Sequence, residues 1–326
     1  MQVEDMSYEQ ILKDLERRLQ AAGIPEEDAA SDAWFLFEEA FGMRRAEYFL
    51  KKSEPCTDPE GAERLQAFAD GRCQRIPVQY LTGWQEFMGL TFHVDDRVLI
   101  PRGDTEVLVE RVLNDQKKGL IPKDATLLDL CTGSGCIFLS LMKLGSFALG
   151  VGTDLSPNAL CVARENAESL GLWSEKQGLF SKETSESETK TGDPKVCFLE
   201  GDLFEALEHL PGNEVPEDIG RFDVITANPP YIAETERTDL MPEVVLHEPE
   251  MALFADRNGL ALYERIAREA PKYLKAGGRL YLEIGCSQGE AVSRLLKETG
   301  AFEEESITVL KDLAGLSRVV SAQKVK

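Results

Sequence analysis

The chain has 326 residues, enough for two domains, and at 43% hydrophobic it can bury a sizeable core. Asp and Glu number 58 against 36 Lys and Arg, a formal net charge of −22, and so acidic a chain repels phosphate backbones and disfavours duplex nucleic acid as a direct substrate. Seven cysteines without C-x-x-C spacing and three scattered histidines (His93, His209, His247) exclude a disulfide scaffold and a His-rich metal site, and predict reduced, buried thiols.

The first six residues carry two acids and neither a basic nor an apolar run, unlike a signal peptide. No stretch reaches the ~18 apolar residues of a membrane span. A cytoplasmic protein with no metal is expected. Residues 7 to about 72 read as helices: Tyr8, Ile11, Leu12, Leu15 and Leu19 recur at helical spacing. Gly23 ends this helix and Pro25 opens the next. A shorter piece follows Gly42, and Pro59 starts a fourth helix. Met1 to Asp70 holds 17 acidic and 8 basic residues, so this is a small acidic helical domain, either an appendage or a docking surface. Val78–Leu81 and Leu90–Val94 look strand-like around Gly83 and Gly89, predicting a β-hairpin linker. Arg102 to Glu106 then opens a helix that Asp104 or Thr105 can cap.

From Thr126 strand and helix alternate. Strands are expected at 126–130, 147–153, 196–200, 222–227 and 279–284, with two closing strands at 305–311 and 318–322. Such alternation predicts an α/β fold with a doubly wound sheet. Residues 174–194 interrupt the pattern with a polar, low-complexity insertion.

The strand ends carry the chemistry. Cys131-Thr132-Gly133-Ser134-Gly135 follows the first strand and opens a helix, so the backbone can turn tightly and approach a ligand. A dinucleotide fingerprint would need a third glycine where Phe138 stands, and there is no Walker lysine, which points to a nucleoside without a pyrophosphate. Asp154 ends the second strand, where an acid can accept both ribose hydroxyls, and Gly201-Asp202 follows the third. One such acid is commonly a helix cap; three strand ends in a row, followed by Asn228-Pro229-Pro230-Tyr231 at the fourth, form a constellation. The two prolines fix φ and offer bare carbonyls. A planar amino group is a poor nucleophile with two N–H donors. The Asn228 side-chain oxygen and the Pro229 carbonyl can accept one each, while Tyr231 can stack on its face.

On these residues the chain resembles the class I S-adenosylmethionine-dependent methyltransferases, and more closely the PrmC/HemK family of N5-glutamine methyltransferases. The resemblance runs through Pro77–Gly83 with Glu86-Phe87, Leu99–Arg102, Asp104-Thr105-Glu106, the glycine loop and Asn228–Tyr231. It continues through Glu248-Pro249 with Ala252-Leu253, and from Asp312 through Gly315 to Arg318-Val319-Val320. Asn-Pro-Pro-Tyr alone is shared with DNA adenine methyltransferases; its combination with Arg102-x-Asp-Thr-Glu is more specific. Two positions depart from the family pattern, Gly103 where proline is usual and His247 where an aromatic is common.

The resemblance implies a Rossmann-like doubly wound seven-stranded sheet. It implies a helical substrate-docking domain at 1–75, a β-hairpin linker at 76–100 and a methyltransferase domain at 101–326. It implies S-adenosyl-L-methionine held by residues 131 to 135, Asp154, Asp202, Leu203 and Asn228, and a substrate glutamine held by Asn228, Pro229, Pro230 and Tyr231, which also carry the catalysis. The implied partner is a class-I peptide-chain release factor, methylated at the glutamine of its Gly-Gly-Gln motif, by a monomer that touches neither nucleic acid nor membrane. The alternatives are a ribosomal-protein glutamine, a nucleic-acid adenine, or a catalytically idle cofactor-binding module. A nucleic-acid enzyme would want a basic groove, which the sequence does not offer.

Overall fold

The computed structural model describes residues 6–173, 195–209 and 221–326; the expected insertion at 174–194 lies outside them. The chain divides into two compact units: Met1–Trp84 with Leu240–His247, and Gln85–Asp239 with Glu248–Lys326.

The first unit is helical. Helix α1 (Tyr8–Ala21) starts at a reciprocal cap: the Gln10 amide donates to the Ser7 hydroxyl, and the Ser7 amide to the Gln10 side chain. Helix α2 (Glu26–Phe41) follows Pro25 and stops at left-handed Gly42. Helix α3 (Arg45–Lys51) is short, and α4 (Pro59–Cys73) is capped by Asp58, which accepts from the Gly61 amide at 2.9 Å. Ile11, Leu15, Leu19, Leu36, Phe37 and Leu65 form its buried core.

A buried cation sits in this unit. Arg72 donates to Asp32 at 2.7 Å and pairs with Glu243 at 2.8 Å; Arg75 reaches the other Glu243 oxygen at 3.1 Å. Burial pushes the Glu243 carboxyl up, but its own backbone amide with Arg72 and Arg75 outweighs that and holds it below the usual range. Glu243 lies on the short helix Pro242–His247, whose His247 Nε2 sits 3.1 Å from the Gln74 carbonyl oxygen.

Residues 78–81 are not a strand. They belong to helix α5 (Val78–Thr82), which starts after Pro77 and ends at left-handed Gly83, with Val78 its buried residue. The β-branched and aromatic residues suggest a strand, but a proline start and a glycine stop with five residues between them fit a short helix. The hairpin is correspondingly shorter: β1 (Trp84–Phe87) and β2 (Leu90–His93), turned by Met88 and Gly89, both at positive φ as a two-residue hairpin turn requires.

In the second unit a 3-10 turn, Gly103–Thr105, leads into α6 (Glu106–Lys117). Neither expected cap forms. Asp104 pairs with Arg318 instead, and Glu106 accepts from the Met88 amide at 2.6 Å.

The sheet strands are β3 (Ala125–Leu130), β4 (Phe147–Asp154), β5 (Lys195–Glu200), β6 (Phe222–Ala227), β7 (Leu274–Glu283), β8 (Thr308–Lys311) and β9 (Ser317–Gln323). Their order is β5-β4-β3-β6-β7-β9-β8; the first five are parallel, and β9 runs antiparallel to both neighbours. This is the doubly wound seven-stranded sheet that the sequence leads one to expect. Helices α7 (Cys136–Leu144), α8 (Pro157–Ser169), α9 (Ala261–Tyr273) and α10 (Gly289–Glu298) complete the unit. Apolar clusters cover the sheet, one around Phe138, Leu127 and Val109, the other around Ile225, Tyr263 and Leu282.

After β3 the chain winds outward through β4 and β5, then returns to β6 on the other side of β3. The carboxyl ends of β3 and β6 therefore flank a topological switch point, where open α/β sheets bind ligands.

The seven cysteines are free. Cys161 and Cys286 are exposed and the other five half-buried, so the expectation of buried thiols does not hold.

Candidate active site

Strand register brings the sequence-marked residues together. Leu130 stands opposite Thr153 on one side and Ala227 on the other, and Asp154 opposite Glu200. One residue further along, Cys131, Asp154 and Asn228 emerge side by side at the carboxyl edge, with Gly201 just beyond Glu200 in the same row.

The glycine loop is fixed by its neighbours. The Thr132 amide donates to the Thr153 carbonyl at 2.9 Å, and the Gly133 amide to Asp154 Oδ2 at 2.9 Å. The other Asp154 oxygen accepts from the amide of Ser156, the residue that caps α8, at 2.9 Å, so the acid braces the loop and the entry to α8 together. Cys131, Gly133 and Gly135 all adopt positive φ, giving the tight turn into α7. Cys131 and Leu203 do so with side chains, a strain that backbone holds only where the surroundings impose it, and both line the cavity described next.

Beneath the loop lies Asp129, wholly buried, accepting from the Thr132 hydroxyl at 2.7 Å and the Thr226 hydroxyl at 2.6 Å. Burial pushes its carboxyl up to about 7, against the pull of those hydroxyls.

A cavity of about 480 Å³ opens along this edge, a size suited to a small-molecule ligand. Its walls carry Cys131, Thr132, Gly133, Ser134 and Asp154, then Asp202, Leu203, Asn228 and Pro230. Segments 96–102 and Pro249–Ala252 close it. These two segments are tied by Glu248, whose buried carboxylate accepts from the Ile100 amide at 3.2 Å and pairs with Arg102. Asp202 is half-buried and held by Arg265 at 2.9 Å.

Three sequence-marked residues do not line the cavity: Gly135, Pro229 and Tyr231. Gly135 is the N-cap of α7 and Pro229 is buried. The half-buried Tyr231 ring packs against the apolar cluster of β6, β7 and α9. Its backbone anchors the loop. The Gln288 side chain donates to the Tyr231 carbonyl at 3.0 Å, and Ile232 bonds Leu253 and Ala255 on either side, each at 3.0 Å. Gly259, at φ +77°, makes this possible: a Cβ there would lie 1.9 Å from the Tyr231 carbonyl oxygen.

Comparison with known proteins gives the family. Residues 10–83 match the PrmC N-terminal domain. A release factor glutamine methyltransferase of Cereibacter sphaeroides is 40% identical over 306 residues, 94% of each chain. That of Moorella thermoacetica is 37% identical over 98% of this chain and 99% of its own, and that of Geobacter sulfurreducens 35% over 91% and 90%. This chain belongs to the release factor glutamine methyltransferase family.

In this family member, three residues near the site went unmarked in the sequence. Glu283 ends β7 and is buried, with the Thr105 and Asn228 side chains near its carboxyl. Gln288 holds Tyr231 as described. Arg318, noted only as part of a resemblance, bonds Asp104 at 2.9 Å and Asp312 at 3.1 Å. The signal for Glu283 was present: like Asp154, it is an acid closing an apolar strand.

Proposed function

We propose that this chain transfers a methyl group from S-adenosylmethionine to the side-chain amide nitrogen of the glutamine in the Gly-Gly-Gln motif of class-I peptide-chain release factors. The observation that carries this reading is one cavity shared by the glycine loop, Asp154, Leu203 and Asn228 at a topological switch point.

The residues present fit the cofactor. Asp154 spends one acceptor site per oxygen on Gly133 and Ser156, and a carboxylate has about four; ribose hydroxyls can take the rest. The left-handed turn at Gly133 and Gly135 keeps side chains away from a ligand against the loop. Cys131 and Leu203 give apolar walls for an adenine, and Asp202 an acceptor beside them. When bound, the cofactor supplies an electrophilic methyl group on a sulfonium.

The protein's task is then to position a weak nucleophile. An amide nitrogen has its lone pair delocalised. Asn228 Oδ1, at the cavity wall, accepts one of its N–H groups and orients it. Holding the nitrogen in place replaces a bimolecular encounter and can supply much of the barrier reduction. This acceptor also stabilises the proton-rich amide as its charge changes.

Residues 1–75 provide the docking surface for the release factor, 76–100 the linker and 101–326 the catalytic domain, in a cytoplasmic monomer without direct nucleic-acid contact. The acidic helical region suits basic patches on the partner and speeds association at low salt.

Incubation with labelled S-adenosylmethionine and a release factor, followed by mapping of the modified residue, tests the reading. Label on the glutamine of Gly-Gly-Gln is expected; label on another residue type overturns it. Asn228→Ala is expected to bind S-adenosylmethionine with unchanged affinity and to raise the barrier by about 2.7–4 kcal/mol, by analogy with loss of one oriented oxyanion donor. Single-turnover kinetics at saturating substrate measure that, and a near-wild-type rate removes Asn228 from the mechanism.

A further inference from the structure

We propose that Glu283 is a positioning residue that orients the Asn228 side-chain amide so that its oxygen, and not its NH2, faces the cavity. The inference rests on the functional reading above. In the sheet Ala227 stands opposite Leu282, so Asn228 and Glu283 are the next residues at the carboxyl ends of adjacent strands. Asn228 and Thr105 line the cavity and Glu283 does not; it sits buried, with both their side chains near its carboxyl. Its Oε2 has no hydrogen-bond partner among the described residues. The strand end itself is pinned: the buried Tyr263 hydroxyl donates to the Glu283 carbonyl at 2.6 Å.

An asparagine amide has a donor end and an acceptor end of nearly the same shape, so packing alone does not choose between them. An ionised carboxylate only accepts. It takes the NH2 end of Asn228 and turns Oδ1 outward, which is what a substrate amide bearing two N–H donors needs. A protonated Glu283 has an O–H to donate beside an oxygen that still accepts, so it no longer selects one flip and lets Asn228 present donors to donors.

The groups facing this carboxyl are Asp104 and Thr105 from the turn before α6, Tyr231 from the loop after β6, Cys136 from α7, Tyr263 from α9 and Arg318 from β9. Burial pushes Tyr231 and Cys136 each up to about 12, so neither titrates near neutrality. Arg318 is the cation among them and is shared with Asp104 and Asp312. Burial outweighs it and pushes Glu283 up to about 7. The oriented state therefore prevails above that pH and is lost below it.

The test uses the full chain as wild type, E283Q, N228A and the double variant. Methylation of a release factor is followed from about pH 6 to 9, beside calorimetric titration of S-adenosylmethionine. Wild-type kcat is expected to rise with pH through a limb near neutrality. E283Q should lose about tenfold in kcat at the upper end, one hydrogen bond's worth of orientation, and lose the limb. Cofactor affinity and KM should stay within about twofold, and the double variant should be no slower than N228A. A limb and kcat retained in E283Q overturn the proposal. So does a rate loss matched by loss of cofactor affinity, or a full additive loss in the double variant. The Asn228 side-chain NH2 resonance, identified by its absence in N228A, reads the coupling without any substrate. It should titrate near neutrality in wild type and not in E283Q. A flat resonance overturns the proposal, whereas a titrating resonance in a chain that methylates no release factor supports it and counts against the functional reading alone.

Discussion

Buried charge is handled differently in the two units. In the helical unit, Arg72 is buried with Asp32 and Glu243 beside it, and Arg75 adds a second cation. Arg72 and Arg75 hold Glu243 below the usual carboxylate range, while at the partly exposed Asp32 burial outweighs Arg72 and pushes the carboxyl up. At the sheet edge, Asp129 is buried with hydroxyl donors alone, and Glu283 with a hydroxyl, an amide and a shared arginine. Both acids are pushed up to about 7. A paired buried charge holds one arrangement; an under-neutralised one can change state near neutral pH. Perturbed groups of the second kind cluster where chemistry is done, and in this chain both stand beside Asn228 or the glycine loop.

The largest effect should come from breaking the paired side. Arg72→Met leaves Asp32 and Glu243 without their shared partner. Removing one member of a buried pair costs about 3–5 kcal/mol, and Arg75 offsets a part of it for Glu243. Chemical denaturation measures the loss. Under folding conditions the affinity for S-adenosylmethionine should not change; a loss of affinity without a loss of stability would mean these charges serve the site.

Asp154 tests the other side. Asp154→Ala should weaken cofactor binding by about 1.5–3 kcal/mol, the range for hydrogen bonds to a charged group. It also removes the brace on the Gly133 amide. Calorimetric titration with S-adenosylmethionine decides, and unchanged affinity would take Asp154 out of the site.

Much of this contrast was legible in the sequence, and the illegible part has physical reasons. Strands ending at Leu130, Asp154, Glu200 and Ala227 announce themselves as apolar runs stopped by glycine, acid or amide. The parallel order then places their ends together. Helix α5 was misread because Val78-Gln79-Tyr80-Leu81 has strand-forming residues, and only the Pro77 and Gly83 boundaries argue for a helical turn. For Tyr231 the motif gives residue type and not direction. What holds its backbone carbonyl is Gln288, with Gly259 leaving it room, both distant in sequence and informative only once folded. Glu283 was passed over because its meaning comes from Asn228 on the next strand, a pairing that register supplies. The Arg72 pairing was hidden for the same reason, since Glu243 lies far along the chain from α4.

The smallest effect sharpens the comparison most, because it reads the sheet-edge ionisation directly. Asp129 titrates at about 7 in the folded chain against an ordinary 3.8. Between those values the folded state keeps a proton that the unfolded state gives up, so raising the pH through that window favours unfolding. Above it both states have lost the proton and the cost is constant. Asp129→Asn has no proton to lose. It keeps one acceptor for the Thr132 and Thr226 hydroxyls where the carboxylate has two oxygens, a fixed loss of about 0.5–1.5 kcal/mol. The melting temperature of the variant minus that of wild type should therefore begin negative in acid. It should rise through the window and level off above neutrality. Each kcal/mol corresponds to roughly 2–4 °C for a domain of this size. Glu283 and the paired acids of the helical unit titrate in both proteins and cancel in the difference. A difference that stays flat with pH would mean that Asp129 is ionised throughout, and the two units would then hold their buried charge in the same way.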